Sequence, residues 1–305
     1  MPAAACRRGH RGESNRVNRL EEFEANRQRL FGIAYRMLGS AADAEDLVQE
    51  TWLRWAQDSA VPQSARAYLT TILTRLCIDH LRSARVQRES YVGTWLPEPV
   101  ALRPDPAESA ELADSLSMAF LLTLERLSAT QRAAFLLHDV FGAGYEEVAG
   151  ILGKSEAACR QIVRRARAGI RTERQEENVP EAEQRVLLEG FLGAIMRGDY
   201  EALVSMLKED AVLYADHGGK AASVHRNIYG ADKIARLMLG LARRFPPKEP
   251  ELQLLTINGA TGVLIREAGI PTTVLHIDYH CGRIGALYQV RNPEKLSSFT
   301  RSETG

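Results

Sequence analysis

Side chains that could carry acid–base or metal chemistry gather in the last third of the 305-residue sequence. In the run PTTVLHIDYH, apolar residues alternate with His276, Asp278 and His280, as in a strand with two unlike faces. Such a strand would present the three polar side chains together, lining a pocket or binding a metal ion. Their spacing lacks the specificity of a zinc motif such as HExxH, and a solvated polar face is the simpler interpretation. The further candidates of this region are Tyr214, Asp216 and His217.

A second set of functional side chains lies in YEEVAGILGKSEAACRQIVRRAR, residues 145–167. Gly153 is placed to end one helix in a left-handed turn, and Ser155 to cap the next. Ala149 allows the two helices to pack closely, as in a helix-turn-helix whose second helix enters the major groove. The alternative is a plain helical hairpin with a solvated basic face. The candidate DNA contacts are Ser155, Glu156, Arg160, Gln161, Arg164 and Arg165.

The stretch 64–90 holds five arginines against one aspartate and one glutamate. An aromatic residue among arginines on one helix face suits single-stranded DNA, because bases stack and phosphates are neutralised there. The alternative is an ordinary surface helix in which Asp79 pairs with Arg75 and Arg82. The candidate DNA contacts of this helix are Arg66, Tyr68, Arg75, Asp79, Arg82 and Arg85.

A third helical pattern, near residues 40–57, separates acidic from apolar residues. Ser40 and Asp43 have the spacing of a capping box at its start. An apolar stripe of Leu47, Val48, Thr51, Trp52 and Trp55 follows at helical spacing. The polar residues on the other side are Asp43, Asp46, Gln49 and Glu50.

The elements that must position these side chains fall into three domains, two helical and one α+β, because strand patterns appear only late in the chain. Prolines mark the longer of the two breaks between the domains. The predicted organisation is a disordered basic leader at 1–19, a helical domain at 20–90, a linker at 91–112, a second helical domain at 113–175, a short linker at 176–183 and an α+β domain at 184–300.

Composition excludes several classes of protein. The 39 basic and 39 acidic residues cancel, so the basic stretches predict nucleic acid at particular surfaces and not a wholly basic coat. The sequence has neither an apolar run long enough for a membrane span nor a secretory signal, so we expect a cytoplasmic protein. Its four cysteines lack zinc-ligand spacing, and Cys77 and Cys159 are predicted to be small core residues.

Three motifs in order resemble the extracytoplasmic-function (ECF) class of bacterial RNA polymerase sigma factors, over residues 20–175. DAEDLVQETWLRW resembles the helix of that family that binds core polymerase. AYLTTILTRLCIDHLRSAR resembles its promoter −10 recognition helix, and LERLSATQRAAFLLHDVFGAGYEEVAGILGKSEAACRQIVRRARAGI resembles its −35-binding domain. The family performs no chemistry of its own, so the resemblance implies no catalytic residue, no cofactor and no metal.

The resemblance also implies what each surface binds. The helix at 64–90 would open and read the −10 element, and the helix after Ser155 would read the −35 element. The residues placed at the polymerase clamp helices are Asp43, Asp46, Gln49, Glu50 and Trp52.

Beyond residue 182, EGFLGAIMRGDYEALVSMLKEDAVLYAD resembles the start of a SnoaL-like domain of the nuclear-transport-factor-2-like superfamily, a curved sheet wrapped around helices as a cone. One ECF group with such a fused domain carries WLPEP in its linker and DGGGK and NPDKL in its C-terminal domain. Here these motifs are WLPEP, DHGGK and NPEKL. His217 replaces a glycine, whose backbone angles a histidine could resist.

The group resemblance implies regulation in cis by the fused domain, through contacts with the linker and the sigma domains. Trp95 is expected to anchor the linker on the third domain, although it could instead pack on its own neighbouring helix. The residues implied are Trp95, Pro97, Glu98, Pro99, Asp216, Gly218, Gly219, Lys220, Asn292, Pro293 and Lys295.

The sequence therefore predicts an alternative sigma factor with a built-in regulatory domain. Its expected partners are core RNA polymerase, through the clamp helices and the flap, and promoter DNA, with neither a membrane nor a separate anti-sigma protein required. A small ligand in the C-terminal cone stays open. One alternative is a helix-turn-helix regulator that acts without polymerase, although such a protein has no need of the acidic, tryptophan-bearing helix at 43–55. The other is a bifunctional enzyme using Asp216, His276 and His280.

Overall fold

The structure, a computed structural model, describes residues 7–60, 62–89, 91–101, 115–170, 179–246, 248–280 and 282–300, with side chains from Arg19 onward except those of 84–89. The chain forms two compact units. The first comprises residues 1–85 and 126–170, and the second comprises residues 86–125 and 171–305. The predicted linker therefore belongs to the unit that holds the C-terminal domain.

The first unit is helical. Its described helices are α1 (Arg7–Leu38), α2 (Ala41–Gln57), α3 (Ala65–Glu89, which runs past the unit boundary), α5 (Ala129–Phe135), a π-helical turn (Leu136–Val140), α6 (Tyr145–Leu152) and α7 (Glu156–Ile170). Ser40 caps α2 as predicted, accepting a hydrogen bond from the Asp43 N–H at 3.2 Å. The predicted core residues Cys77 and Cys159 are buried free thiols.

Helix α1 corrects the predicted leader, which is wrong over residues 7–19. A helix held by packing further along propagates without a new nucleation cost, and arginine and glutamate are good helix formers. At Arg19 the helix is already part of the packing, since this side chain is 6% exposed. Its guanidinium donates to the carbonyl oxygens of Trp55 at 2.7 Å and Ala60 at 2.8 Å. These bonds fix the C-terminal end of α2.

The second unit is α+β. Its helices are α4 (Met118–Leu124), α8 (Glu181–Arg197), α9 (Tyr200–Met206) and α10 (Ala231–Arg244), with a 3-10 helix at Pro293–Phe299. Its strands are β1 (Leu207–Asp216), β2 (Ile228–Tyr229), β3 (Pro250–Ile257), β4 (Ala260–Glu267), β5 (Ile270–His280) and β6 (Arg283–Val290). They form one sheet in the order β2-β1-β6-β5-β4-β3, in which only the β1–β6 pair is parallel among the described strands. This is the α+β architecture expected from the sequence.

Both faces of the sheet are covered, by different parts of the chain. On one face, Val263, Leu275 and Leu287 pack with apolar residues of α8 and α10 and fill the space between sheet and helices. On the other face, Leu264, Val274 and Tyr288 pack with linker residue Leu96 and with Met118 of α4. Because neighbouring strand residues point to opposite faces, the sheet binds the linker with one face and its own helices with the other.

The expected polar face of β5 is wrong at His276. This residue is 3% exposed, and neither imidazole nitrogen has a hydrogen-bond partner. Its neighbour across the ladder is Tyr288 on β6. Burial lowers the pKa of His276 from 6.5 to about 4, because removal from water disfavours the charged ring. A bulge between Asp278 and Tyr279 also interrupts the predicted alternation.

The buried His276 makes the second unit sensitive to acid. Its folded pKa of about 4 lies below its ordinary value, so the unfolded chain binds the extra proton between pH 6.5 and pH 4. The free energy of unfolding is unaffected by His276 above that window and falls by roughly 2 to 3 kcal/mol by pH 4.5. We expect His276→Leu to remove this loss. The measurement is hydrogen-exchange protection of β5 and β6 peptides, corrected for the intrinsic rate at each pH. His225→Gln, at an exposed histidine of the same unit, is the control and should keep the pH dependence.

Candidate functional site

The helix-turn-helix of the first unit has the predicted geometry. Gly153 ends α6 with a left-handed φ of 62°, and the Ser155 hydroxyl accepts from the Ala158 N–H at 3.3 Å. The buried residues of the hairpin include Val148, Cys159 and Val163. All six candidate DNA contacts of the second helix are exposed: Ser155, Glu156, Arg160, Gln161, Arg164 and Arg165.

The face of α3 predicted to contact DNA is partly engaged within the first unit. The Tyr68 ring is tilted against Trp55 with ring centres 5.5 Å apart, and its hydroxyl donates to the Asp58 carboxylate, so Tyr68 acts in packing there. Arg75 donates through Nε to the Ile151 carbonyl at 3.2 Å and through Nη2 to Gly150 at 3.4 Å. These carbonyls are at the C-terminal end of α6, where a cation is favoured by the helix dipole.

The remaining α3 candidates are more open. Arg66, Asp79 and Arg82 are exposed. Asp79 pairs with Arg82 at 3.4 Å, whereas the expected pairing with Arg75 is replaced by the carbonyl contacts. The Arg85 side chain lies outside the described residues.

The acidic side of α2 is available for a partner. Asp46 and Gln49 are exposed, and Glu50 is paired only along the helix in the bonds described, with Arg54 at 2.8 Å. Trp52 is half-buried and packs on Phe23 of α1 at 5.1 Å. Asp43 lies 3.6 Å from the His80 imidazole.

A buried carboxylate holds the linker in the second unit. Asp216 is fully buried. It accepts from the Tyr91 hydroxyl at 2.5 Å, from the Leu96 N–H at 2.8 Å and from the Lys295 ammonium at 2.6 Å. Burial and the bond to Asp216 raise the pKa of Tyr91. Lys295 also donates to the Leu96 carbonyl. One residue from each of the DHGGK and NPEKL motifs therefore binds the backbone of Leu96.

Asn258 holds the linker at two points. Its side-chain oxygen accepts from the Val100 N–H at 3.0 Å, and its amide donates to the Leu116 carbonyl at 3.1 Å. Its backbone N–H donates to the Val100 carbonyl at 2.9 Å. Val100 and Leu116 are thus brought to one side chain, although many residues separate them in the sequence.

Leu96 is the buried anchor of the linker, and the expectation of Trp95 in that role is wrong. Leu96 has no exposed surface and belongs to the apolar cluster on the sheet. Trp95 is half-buried, and the Lys295 ammonium lies 4.3 Å from its ring centre. The linker docks on the third domain as predicted, but a neighbouring aliphatic residue provides the apolar contact. Pro97, Glu98 and Pro99 are buried beside it.

His217 fits its loop without backbone strain, contrary to expectation. The left-handed angles fall on Gly218 at 56° and Gly219 at 73°. The His217 imidazole accepts from the Gly219 N–H at 3.0 Å. Its other nitrogen faces Gly93 of the linker so closely that a β-carbon there would lie 2.7 Å away.

The other motif residues fix the loop around Asp216. Asn292 donates to the Tyr91 hydroxyl at 3.0 Å and accepts from the Glu294 N–H at 3.1 Å. Lys220 pairs with Glu294. Pro293 is exposed at the start of the 3-10 helix. The two motifs therefore form one structure with the linker.

Three of the residues considered for catalysis are used otherwise. Asp216 and His217 hold the linker and its loop, and His276 is buried in the sheet with no polar contact. Within the described parts of the chain, no cluster of three metal-ligating side chains occurs. An open groove of about 630 Å³ is lined by Lys208, Glu209, Asp210, His280 and Arg283.

Sequence reasoning missed Tyr91 and Asn258, and it did not single out Leu96. Asn258 did carry a signal, since Asn-Gly marks a tight hairpin turn and its φ is 51°. That signal predicts the turn and not the bonds that the side chain makes to distant residues. No local pattern marks Tyr91 as a partner of Asp216.

Comparison with known proteins places these features in a family. Residues 23–86 match the Sigma-70 region 2 family and residues 117–169 match Sigma-70, region 4. The ECF RNA polymerase sigma factor SigJ of Mycobacterium tuberculosis is 39% identical over 292 residues, which cover 91% of this chain and 93% of SigJ. Probable ECF RNA polymerase sigma factor SigI of the same species is 29% identical over 287 residues, covering 93% and 96%.

The crystal structure of M. tuberculosis SigJ resembles this structure with a TM-score of 0.74 at 37% identity, covering 91% of this chain and 98% of that one. No helix in the described part of the chain is long and apolar enough to cross a membrane. The two matched sigma regions and the nearly full-length likeness lead to one conclusion: the chain belongs to the ECF sigma factors, which initiate transcription by binding core RNA polymerase and promoter DNA and catalyse no reaction themselves.

Proposed function

We propose that this sigma factor is regulated in cis by linker docking: its C-terminal domain holds the linker between the two sigma regions. The observation that carries the proposal is the double attachment of the linker, at Asp216 and at Asn258. The first helix of region 4, α4, is also packed on the sheet through Met118. No additional protein is needed for these contacts.

Docking shortens the distance that the linker can span between the two sigma regions. Between α3, which ends at Glu89, and α4, which begins at Met118, about 28 residues can span at most ~95 Å when fully extended. The −10 and −35 elements lie roughly 25 base pairs apart, which is ~85 Å of B-DNA. When Val100 and Leu116 are bound to the same asparagine, the residues between them no longer contribute to the span. The maximum distance between the end of α3 and the start of α4 then falls to ~40 Å. A docked linker therefore opposes binding of both elements at once.

The docked state has a defined energetic basis. Leu96 and Met118 would expose apolar surface on release, which costs about 1.5 to 3 kcal/mol for each large side chain. Asp216 would lose its Tyr91 and Leu96 partners but keep Lys295, so its charge stays neutralised. Release therefore costs several kcal/mol and is within the range that polymerase or promoter binding can offset.

We further propose that the surfaces of the first unit meet the expected partners. Asp46 and Gln49 on α2 lie at the polymerase contact, with Asp43, Glu50 and Trp52 around them. The exposed residues of α7 contact the −35 element, and Arg66, Asp79 and Arg82 of α3 contact the −10 element. Arg75 joins them once it leaves the carbonyls of Gly150 and Ile151.

Linker release can be tested with Asn258→Gly in full-length protein. Glycine keeps the left-handed turn and removes the amide that holds Val100 and Leu116. We expect initiation in vitro with core polymerase, on a promoter selected from a random library, to rise severalfold because the linker regains its reach. Ala268→Gly, at another left-handed position with φ 50°, is the matched control. Equal or lower initiation by Asn258→Gly, with the fold intact, would show that docking does not restrain the factor.

Polymerase binding can be tested separately with Asp46→Arg. The residue is exposed, so the fold should persist while the reversed charge weakens binding to core polymerase by tenfold or more. Co-elution of the variant with core polymerase in gel filtration measures the loss. Glu45→Arg, on the same helix but outside the proposed contact set, is the comparison, and an equal effect of both changes would argue against a specific contact at Asp46.

The −35 contact predicts a change in salt dependence. Arg164→Ala and Arg165→Ala should each weaken promoter binding and reduce the slope of log K against log salt by about one, as for a lost phosphate contact. Fluorescence anisotropy of the holoenzyme on a labelled promoter, measured from 50 to 200 mM salt, gives the slope. A slope identical to that of the parent would place these arginines away from DNA.

A further inference from the structure

The π-helical turn before the helix-turn-helix presents two consecutive polar side chains toward it. His138 and Asp139 lie within this turn, Leu136–Val140, a type of irregularity that often marks functional sites. Asp139 binds Arg167 of α7 through both carboxylate oxygens, at 2.8 and 2.5 Å. This pair fixes α7 near its C-terminal end and occupies Arg167.

His138 supports a contact near the other end of α7. Its Nδ1 lies 2.8 Å from the Ala143 carbonyl oxygen. Since a carbonyl only accepts, Nδ1 carries the proton and the ring orientation is set. The imidazole stacks on the Tyr145 ring with centroids 4.0 Å apart and planes at 30°. The first residue of α6 therefore has a fixed aromatic side chain.

Arg160 is held on this aromatic pair. Its guanidinium carbon lies 5.1 Å from the Tyr145 ring centre, within the range of a cation–π contact. One of its terminal nitrogens donates to the Glu156 carboxylate at 2.7 Å. The side chain is half exposed nonetheless, with 57% of its surface accessible. Arg160 is thus ordered but open to a partner.

We propose that Tyr145 is a positioning residue for promoter reading: stacked on His138, it orients Arg160 to bind a guanine of the −35 element. This inference rests on the proposed −35 role of α7. An arginine fork pairs with O6 and N7 of guanine in the major groove. Holding the fork before DNA arrives reduces the rotamer entropy lost on binding. Glu156 restricts the same side chain from its other side.

The test is a base-preference measurement with the complete holoenzyme. Core polymerase is loaded with the parent chain, Arg160→Ala, Tyr145→Phe or Tyr145→Leu and offered a double-stranded promoter library with a randomised −35 element. Sequencing of transcribed templates gives the preference at each base. We expect Arg160→Ala to flatten the preference for guanine at one position. Tyr145→Leu should reduce that same preference about two- to fivefold, the factor of an exposed cation–π contact, and Tyr145→Phe should keep it.

The outcomes separate positioning from a purely structural role. A uniform loss over all templates with Tyr145→Leu would make the ring a packing residue and overturn the proposal, as would equal losses for Tyr145→Phe and Tyr145→Leu. If Arg160→Ala flattens the preference and Tyr145→Leu leaves it intact, only the role of Tyr145 fails. If Arg160→Ala changes no preference, base reading by Arg160 fails together with the role of Tyr145. Thermal unfolding of each variant confirms that the fold is kept.

Discussion

The carboxylate of Asp216 has no contact with water, and this constraint organises the second unit. A buried charge is stable only when it is paired and hydrogen-bonded. Here the partners come from two separate segments: Tyr91 and Leu96 belong to the linker, and Lys295 lies near the C-terminus. Hydrogen bonds from the linker therefore replace water around an acidic group of the C-terminal domain. The same site explains why Lys295 and the 3-10 helix lie against the sheet.

Sequence patterns predicted the elements whose determinants are local. Gly153 and Ser155 mark the turn of the helix-turn-helix because one needs a left-handed φ and the other caps a helix, and both requirements are visible in a few residues. The alternation in PTTVLHIDYH predicted strand β5 in the same way. Strand β2, with only two residues, has no periodicity to detect.

Features decided by distant contacts could not be predicted. Trp95 was the obvious anchor by size, yet the backbone geometry set by Asp216 turns Leu96 into the sheet. His276 looked polar by type, but its place in the ladder beside Tyr288 buries it.

The extension of α1 through residues 7–19 depends on packing at Arg19, which composition alone does not show. Arg75 was assigned to DNA by its helix face, whereas the carbonyls that it contacts come from another part of the chain.

Attachment of Val100 and Leu116 to Asn258 separates two properties that normally vary together: the stability of the docked linker and the distance that the released linker spans. In the docked state Val100 and Leu116 meet at one side chain, and each doubling of the chain length between two joined points costs only about 0.6 kcal/mol. Insertions there would hardly change the docked form. In the proposed released state, the residues between Val100 and Leu116 add directly to the distance that the two sigma regions can span. Loop length in this segment is thus free to adapt to the spacer between promoter elements, without a matching change in the C-terminal domain.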